Sequence, residues 1–112
     1  MDRYKVELAP EVFEQIQSIK NYITVVLQSL VNADRTVERI FDDLERLELF
    51  PERGFDADEK VGVQLSKHVK SRGISISKGS YLAFYTIKED EKLVYVTHLV
   101  SSKSDYASLF KL

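Results

Sequence analysis

Directly behind the last apolar run of the chain, Leu93 to Val100, come three hydroxyls, an amine, a carboxylate and a phenol: Ser101, Ser102, Lys103, Ser104, Asp105 and Tyr106. Side chains of these types, set just past a strand, project from a sheet edge toward a partner, and His98 inside the run adds an imidazole able to carry a proton near neutral pH. The same residues also have ordinary structural uses. A histidine in an apolar strand is commonly a satisfied structural group, Tyr85 and Tyr95 are sheet-packing aromatics by preference, and Tyr106 can anchor a tail.

Several chemistries are set aside by spacing. His68 and His98 lie 30 residues apart with no helical or ribbon-like ligand spacing between them, which argues against a metal site. A triad drawn from Ser101, His98 and Asp105 would crowd all its members into one short segment, and nothing resembles a nucleophile elbow. The four glycines, Gly54, Gly62, Gly73 and Gly79, fall in no nucleotide-binding pattern. Cysteine is absent, so thiol redox chemistry, zinc–thiolate sites and a disulfide framework are excluded, and a reducing cytoplasm is the expected setting. No run approaches the ~18 apolar residues that span a bilayer, and the opening residues do not read as a signal peptide.

Charge is distributed unevenly. Residues 1–60 carry 8 basic and 14 acidic side chains, whereas residues 61–112 carry 8 basic and 4 acidic, around a formal net charge of −2. Lys67, Lys70, Arg72 and Lys78 follow one another with no acid between Val61 and Lys88, a run that can attract a polyanion or an acidic protein segment, or simply be solvated.

At 112 residues the chain is expected to form one domain, spanning residues 1–112, with a single core. Tyr4-Lys5-Val6-Glu7-Leu8 alternates with the period of a half-buried strand. Pro10 suits a first helical turn, Glu11 suits the helix dipole, and Val12, Ile16, Ile19, Ile23, Val26 and Leu30 recur on one helical stripe. A second helix is predicted from a cap at Asn32 or Asp34, with Val37, Ile40, Phe41, Leu44 and Leu47 inward, ending at Phe50-Pro51. Residues 52–70 read as a loop with a short helix or strand. Strands then follow over 72–77, 81–87 and 93–100, the first two joined by Lys78-Gly79-Ser80, and Ala107, Leu109 and Phe110 form a tail that folds back. The predicted fold is α+β: an N-terminal strand, an antiparallel helical hairpin, then three antiparallel strands in one sheet packed on the helices, and a short C-terminal tail.

Tyr4 to Glu11, Ala33-Asp34-Arg35, Leu49 to Gly54, Tyr81 to Tyr85 and Ser104-Asp105-Tyr106, in this order and at this length, resemble the RelE/ParE superfamily of toxins from bacterial type II toxin–antitoxin pairs. The resemblance covers nearly the whole chain. It implies a growth-inhibiting protein held inactive by a cognate antitoxin, with exposed apolar residues such as Val25, Leu27 or Leu49 as expected antitoxin contacts. The RelE-like branch cleaves messenger RNA in the ribosome, and the ParE-like branch poisons DNA gyrase. Cleavage needs cations to stabilise the phosphoryl transition state and groups to move protons. Alignment by eye places Ser75 and Ser77 where the ribonuclease branch has basic residues, Leu82 where an arginine follows the hairpin tyrosine, and Ser104 where an arginine precedes the acidic residue. The expected reading is therefore a ParE-like toxin directed at gyrase. The alternatives are a RelE-like ribosome-dependent mRNA endoribonuclease and a degenerate module that only binds antitoxin. Under the nuclease alternative His98 and Tyr106 are the catalytic candidates, and in either branch Arg72, Lys78, Lys103 and Tyr85 are candidates for target binding. No metal or cofactor is expected.

Overall fold

The computed structural model describes residues 3–66 and 69–110; Lys67 of the basic run and His68 lie outside the described residues. Strand β1 (Lys5–Leu8) leads through Ala9 into helix α1 (Pro10–Asn21), with proline at the start, where a missing N–H costs nothing. Val12, Ile16 and Ile23 are buried along one stripe, but the stripe stops there. The β-branched run Ile23-Thr24-Val25-Val26 crowds an α-helix, the Thr24 hydroxyl donates back to the Lys20 carbonyl at 2.8 Å, and residues Tyr22–Val26 rewind as a π-helical turn. The wider turn rotates Val26 and Leu30, both predicted as core, into solvent.

Gln28 closes the helix at φ 54, and the second helix, α2 (Leu30–Glu45), begins earlier than predicted. Its cap is Ser29, whose hydroxyl accepts the Asn32 N–H at 3.3 Å, rather than Asn32 or Asp34. Ala33, Ile40, Leu44 and Leu47 are its buried face, while Phe41 stays exposed. The two helices form the expected antiparallel hairpin and cover one side of the sheet.

Beyond Pro51 the chain is more regular than its sequence suggests. A two-residue strand β2 (Phe55–Asp56) is followed by the short helix α3 (Ala57–Val61). Both Asp58 carboxylate oxygens accept backbone donors, from Leu65 at 3.0 Å and Ser71 at 3.3 Å, so one acid ties the irregular stretch to the next strand. Strands β3 (Ser71–Ile76), β4 (Tyr81–Lys88) and β5 (Leu93–Ser101) complete a five-stranded sheet of order β1-β5-β4-β3-β2. All neighbours are antiparallel except β1, which lies parallel to β5 with Lys5 opposite Leu93 and Leu8 opposite Val96.

A bulge in β5 decides which side chains meet which layer. Phe84 pairs with His98 and Tyr85 with Val96, which leaves Thr97 without a partner on β4. The extra residue reverses the alternation. Val94 and Val96 face the helices together with Leu99, whereas His98 and Val100 turn to the opposite side. That opposite side holds a second apolar cluster: Leu82 and Phe84 from the sheet, covered by Phe55, Ala57, Val61, Val63, Leu65, Tyr106, Ala107 and Phe110. The tail therefore folds back through Ala107 and Phe110, and Leu109 remains in solvent.

Candidate functional site

His98 is half-buried under the tail. Its ring meets Phe110 edge-on at 4.7 Å between centroids, and Nδ1 lies 2.9 Å from the Thr97 hydroxyl. That hydroxyl donates its one proton to the Phe84 carbonyl at 3.2 Å, so it accepts from Nδ1–H. Burial pushes the imidazole below its ordinary 6.5, opposed weakly by the Glu11 carboxylate, so the neutral ring is favoured. Tyr106 packs its ring on Phe84 at 5.7 Å. Both residues named for nuclease chemistry thus serve the second apolar cluster.

A pH effect follows from this burial. Because the folded-state pKa lies below the unfolded value, stability is unaffected well above pH 6.5 and falls as pH drops from there toward the folded pKa, where the unfolded chain binds a proton that the folded chain refuses. The expected result is a lower urea midpoint at pH 5.5 than at 7.5, with that part of the difference lost in His98→Leu. An unchanged pH profile in the variant would show that His98 does not supply it.

Tyr85 was a target-binding candidate, and the structure corrects this. It is fully buried in the main core, and its phenol, held protonated by burial, donates to the Pro51 carbonyl at 2.6 Å and accepts the Gly54 N–H at 3.2 Å. Neither its ring nor its hydroxyl reaches the surface of the chain. Arg72 works on the same segment, its guanidinium donating to the carbonyls of Glu52 at 3.1 Å and Gly54 at 3.3 Å. Lys70 of the basic run lies 3.7 Å from the Asp56 carboxylate, which also caps α3.

Lys78 and Lys103 are exposed, and they stand among cations that the sequence did not bring together. A cleft of about 500 Å³ between α2 and the end of β3 is lined by Arg39, Asp43, Arg46, Arg53, Ile74, Ser75, Lys78 and Gly79. A second, of about 380 Å³, shares Lys78 and Gly79 and continues over Ser80, Tyr81, Ser101, Ser102 and Lys103. Arg39 on α2 and Arg46, which opens the tight turn directly after it, are seven residues apart, about two helical turns, and so emerge on one face. Asp43 lies between them, its carboxylate accepting the Ser77 N–H at 2.7 Å and meeting the Arg46 guanidinium at 3.3 Å.

The turn between the clefts is held from two sides. Ser77, Lys78 and Gly79 all adopt left-handed backbone, at φ 49, 57 and 86, which is rare for the first two residue types. Asp43 fixes one flank; Ser102 fixes the other, its hydroxyl sharing one proton between the carbonyls of Gly79 at 2.7 Å and Ser80 at 3.1 Å. Chemically the clefts can bind an anion. Neither is lined by His98 or Tyr106, and the one carboxylate among their linings is already engaged.

The family model for the ParE toxin of the type II toxin–antitoxin system parDE matches residues 6–106. The chain belongs to the ParE toxin family. Among solved structures, this ParE-family chain is similar to one from the chromosomal ParDE toxin–antitoxin system of P. aeruginosa, at 13% identity and TM-score 0.69, over 90% of this chain and 98% of that one. It is similar to a chain of the archaeal RelE–RelB complex from Pyrococcus horikoshii OT3 at 15% identity and TM-score 0.57, over 90% and 97%. A doubly arginine-substituted E. coli toxin RelE in the free state follows at 9% identity and TM-score 0.61, over 96% and 93%. At such identities these likenesses establish the fold, an α+β RelE/ParE-like arrangement. No curated protein sequence matches the chain.

Proposed function

We propose that this ParE-family toxin arrests growth by acting on DNA gyrase and is neutralised by a cognate antitoxin. One observation carries the choice of target. The sheet face holding Leu82, which occupies the position where the resembling ribonuclease branch has an arginine, is closed by an apolar layer. Of the other three aligned positions, Ser77 is buried with its N–H bound to Asp43, the Ser104 hydroxyl donates to the Ser101 carbonyl at 2.7 Å, and Ser75 lines the basic cleft but adds no charge to it. In-line cleavage of RNA requires clustered cations beside a proton carrier. Here the cations line clefts that neither His98 nor Tyr106 enters.

Antitoxin binding has an apolar surface available to it. Tyr22, Val25, Val26, Leu27, Leu30 and Val31 are all more than half exposed at the tip of the helical hairpin. Contiguous apolar exposure of this kind marks a partner surface, and amphipathic antitoxin segments suit it. Leu49, the third expected contact, is 39% exposed but lies elsewhere, beside Phe50 and Tyr4 in a smaller cleft. Among the described residues no helix is long and apolar enough to cross a membrane, and on this reading the site of action is the cytoplasm.

Induced expression without antitoxin is expected to give filamentation with DNA damage, and the purified chain to inhibit supercoiling by gyrase. Rapid arrest of protein synthesis with fragmented transcripts would instead support the RelE-like endoribonuclease. Unchanged growth would leave only an antitoxin-binding module. Undiminished supercoiling at high toxin concentration rejects the gyrase reading.

A further inference from the structure

We propose that the two adjoining basic clefts at the Lys78-Gly79 turn form one track for the phosphodiester backbone of a nucleic-acid duplex. Five cations, Arg39, Arg46, Arg53, Lys78 and Lys103, come to this rim from α2 and the turn that follows it, the segment after Pro51, the β3–β4 turn and the residues just past β5. Among the described residues Asp43 is the single carboxylate lining either cleft, and it is spent on Ser77 and Arg46. Arg39, Arg53, Lys78 and Lys103 make no ion pair among the described residues, although the chain has 18 acids for 16 bases. In a chain with acids to spare, four cations left unpaired along one rim repel one another until an anion arrives.

The form of the rim favours an extended ligand over a single small anion. The clefts lie end to end through shared residues, and exposed hydroxyls at Ser75, Ser80 and Ser101 are interspersed with the charges. Alternating cations and hydroxyl donors are what contact successive phosphates along a backbone. Single strands are held by aromatic platforms for unstacked bases, and among the described residues the only ring lining these clefts is the part-buried Tyr81, so a duplex is the better fit. The turn is already fixed by Asp43 and Ser102, which lowers the ordering cost of binding. This track is independent of the toxin's protein target, and it is separated by the sheet from the cluster that holds His98 and Phe84.

The test is fluorescence anisotropy of a labelled short DNA duplex of mixed sequence titrated with the full chain. The affinity is expected to fall by roughly 100-fold or more between about 50 and about 200 mM salt, as release of counterions from four or five phosphates requires. Arg39→Gln, Arg53→Gln and Lys103→Gln are each expected to weaken binding and to lower the salt slope by about one, because each removes one phosphate contact. Lys88→Gln, at the opposite end of the sheet, is expected to change neither. All these side chains are exposed, and an unchanged urea midpoint verifies that each variant folds. No binding at low salt, or full binding by the combined variant, overturns the proposal. So does tighter binding of the matching single strand, or equal competition by a polyglutamate peptide, which would reassign the rim to an acidic protein. A chain that binds duplex but leaves gyrase untouched would keep this inference and reject only the proposed target.

Discussion

Truncating Phe84 to alanine is expected to cost about 3–5 kcal/mol, measured as a lower urea midpoint at unchanged slope. The ring is fully buried and is the hub of the second apolar cluster. It meets Phe55 edge-on at 6.5 Å, Phe110 at 5.8 Å and Tyr106 at 5.7 Å, so its removal opens a void facing two separate chain segments, β2 and the C-terminal tail. A domain of this size has a total stability on the order of 5–15 kcal/mol, and the loss is a large part of it. Because Phe110 also lies over His98, loosening the tail exposes the imidazole, and its pKa should climb back toward 6.5 when followed by NMR. A midpoint corresponding to a loss below about 1 kcal/mol would mean that the tail and α3 are not packed on this ring.

Asp43→Ala is expected to cost about 1.5–3 kcal/mol, the range for a hydrogen bond to a charged group. The carboxylate holds the N–H of the buried Ser77 at 2.7 Å, across 34 residues of chain, and among the described residues nothing else accepts that donor. It also holds a turn whose Ser77 and Lys78 sit in left-handed backbone, a conformation that costs on the order of 1 kcal/mol or more at each non-glycine residue. Without the acceptor, the Ser77 amide should lose its protection from hydrogen exchange. Asp43→Asn keeps an oxygen at the same place and should recover a substantial part of the loss. Equal damage from both variants would mean that the charge alone matters through Arg46, and no damage from either would mean that the turn holds itself.

Much of the scaffold is written in local pattern. Alternation over Tyr4–Leu8, the apolar run Tyr81–Ile87, proline at the head of α1 and the inward series Ile40, Leu44 and Leu47 are each set by neighbours a few residues away. What pattern reading missed depends on contacts formed at a distance, or on a single inserted residue. The bulge at Thr97 reverses a face without changing composition, so Val94, Val96, His98 and Val100 read as one side of a strand when they are two. The π-helical turn likewise breaks the stripe at Ile23, although the β-branched run gave a local hint of crowding. Ser29 is as good a cap as Asn32, and its selection was settled by where Gln28 turned left-handed.

The candidate site was less legible than the fold, because charge was counted along the chain rather than across it. Arg39, Arg46 and Arg53 lie in the acid-rich half, where their neighbours mask them, yet the tertiary fold sets them beside Lys78 from the basic half. The seven-residue spacing of Arg39 and Arg46 was the available signal. For Tyr85, a tyrosine in a strand gave no sign that its hydroxyl would be used internally, since both partners, Pro51 and Gly54, come from the segment with the weakest pattern.

The first strand of the chain has its neighbour in the last. Residues 5–8 can complete their ladder only when residues 93–96 exist, and the Ala9 N–H waits likewise for the Val96 carbonyl at 2.9 Å. Pairing so distant in sequence is slow to nucleate and waits until residues 93–96 have been made. A polypeptide made only as far as β4 therefore holds an incomplete sheet whose β4 edge stays open, with residues 5–8 still lacking a ladder.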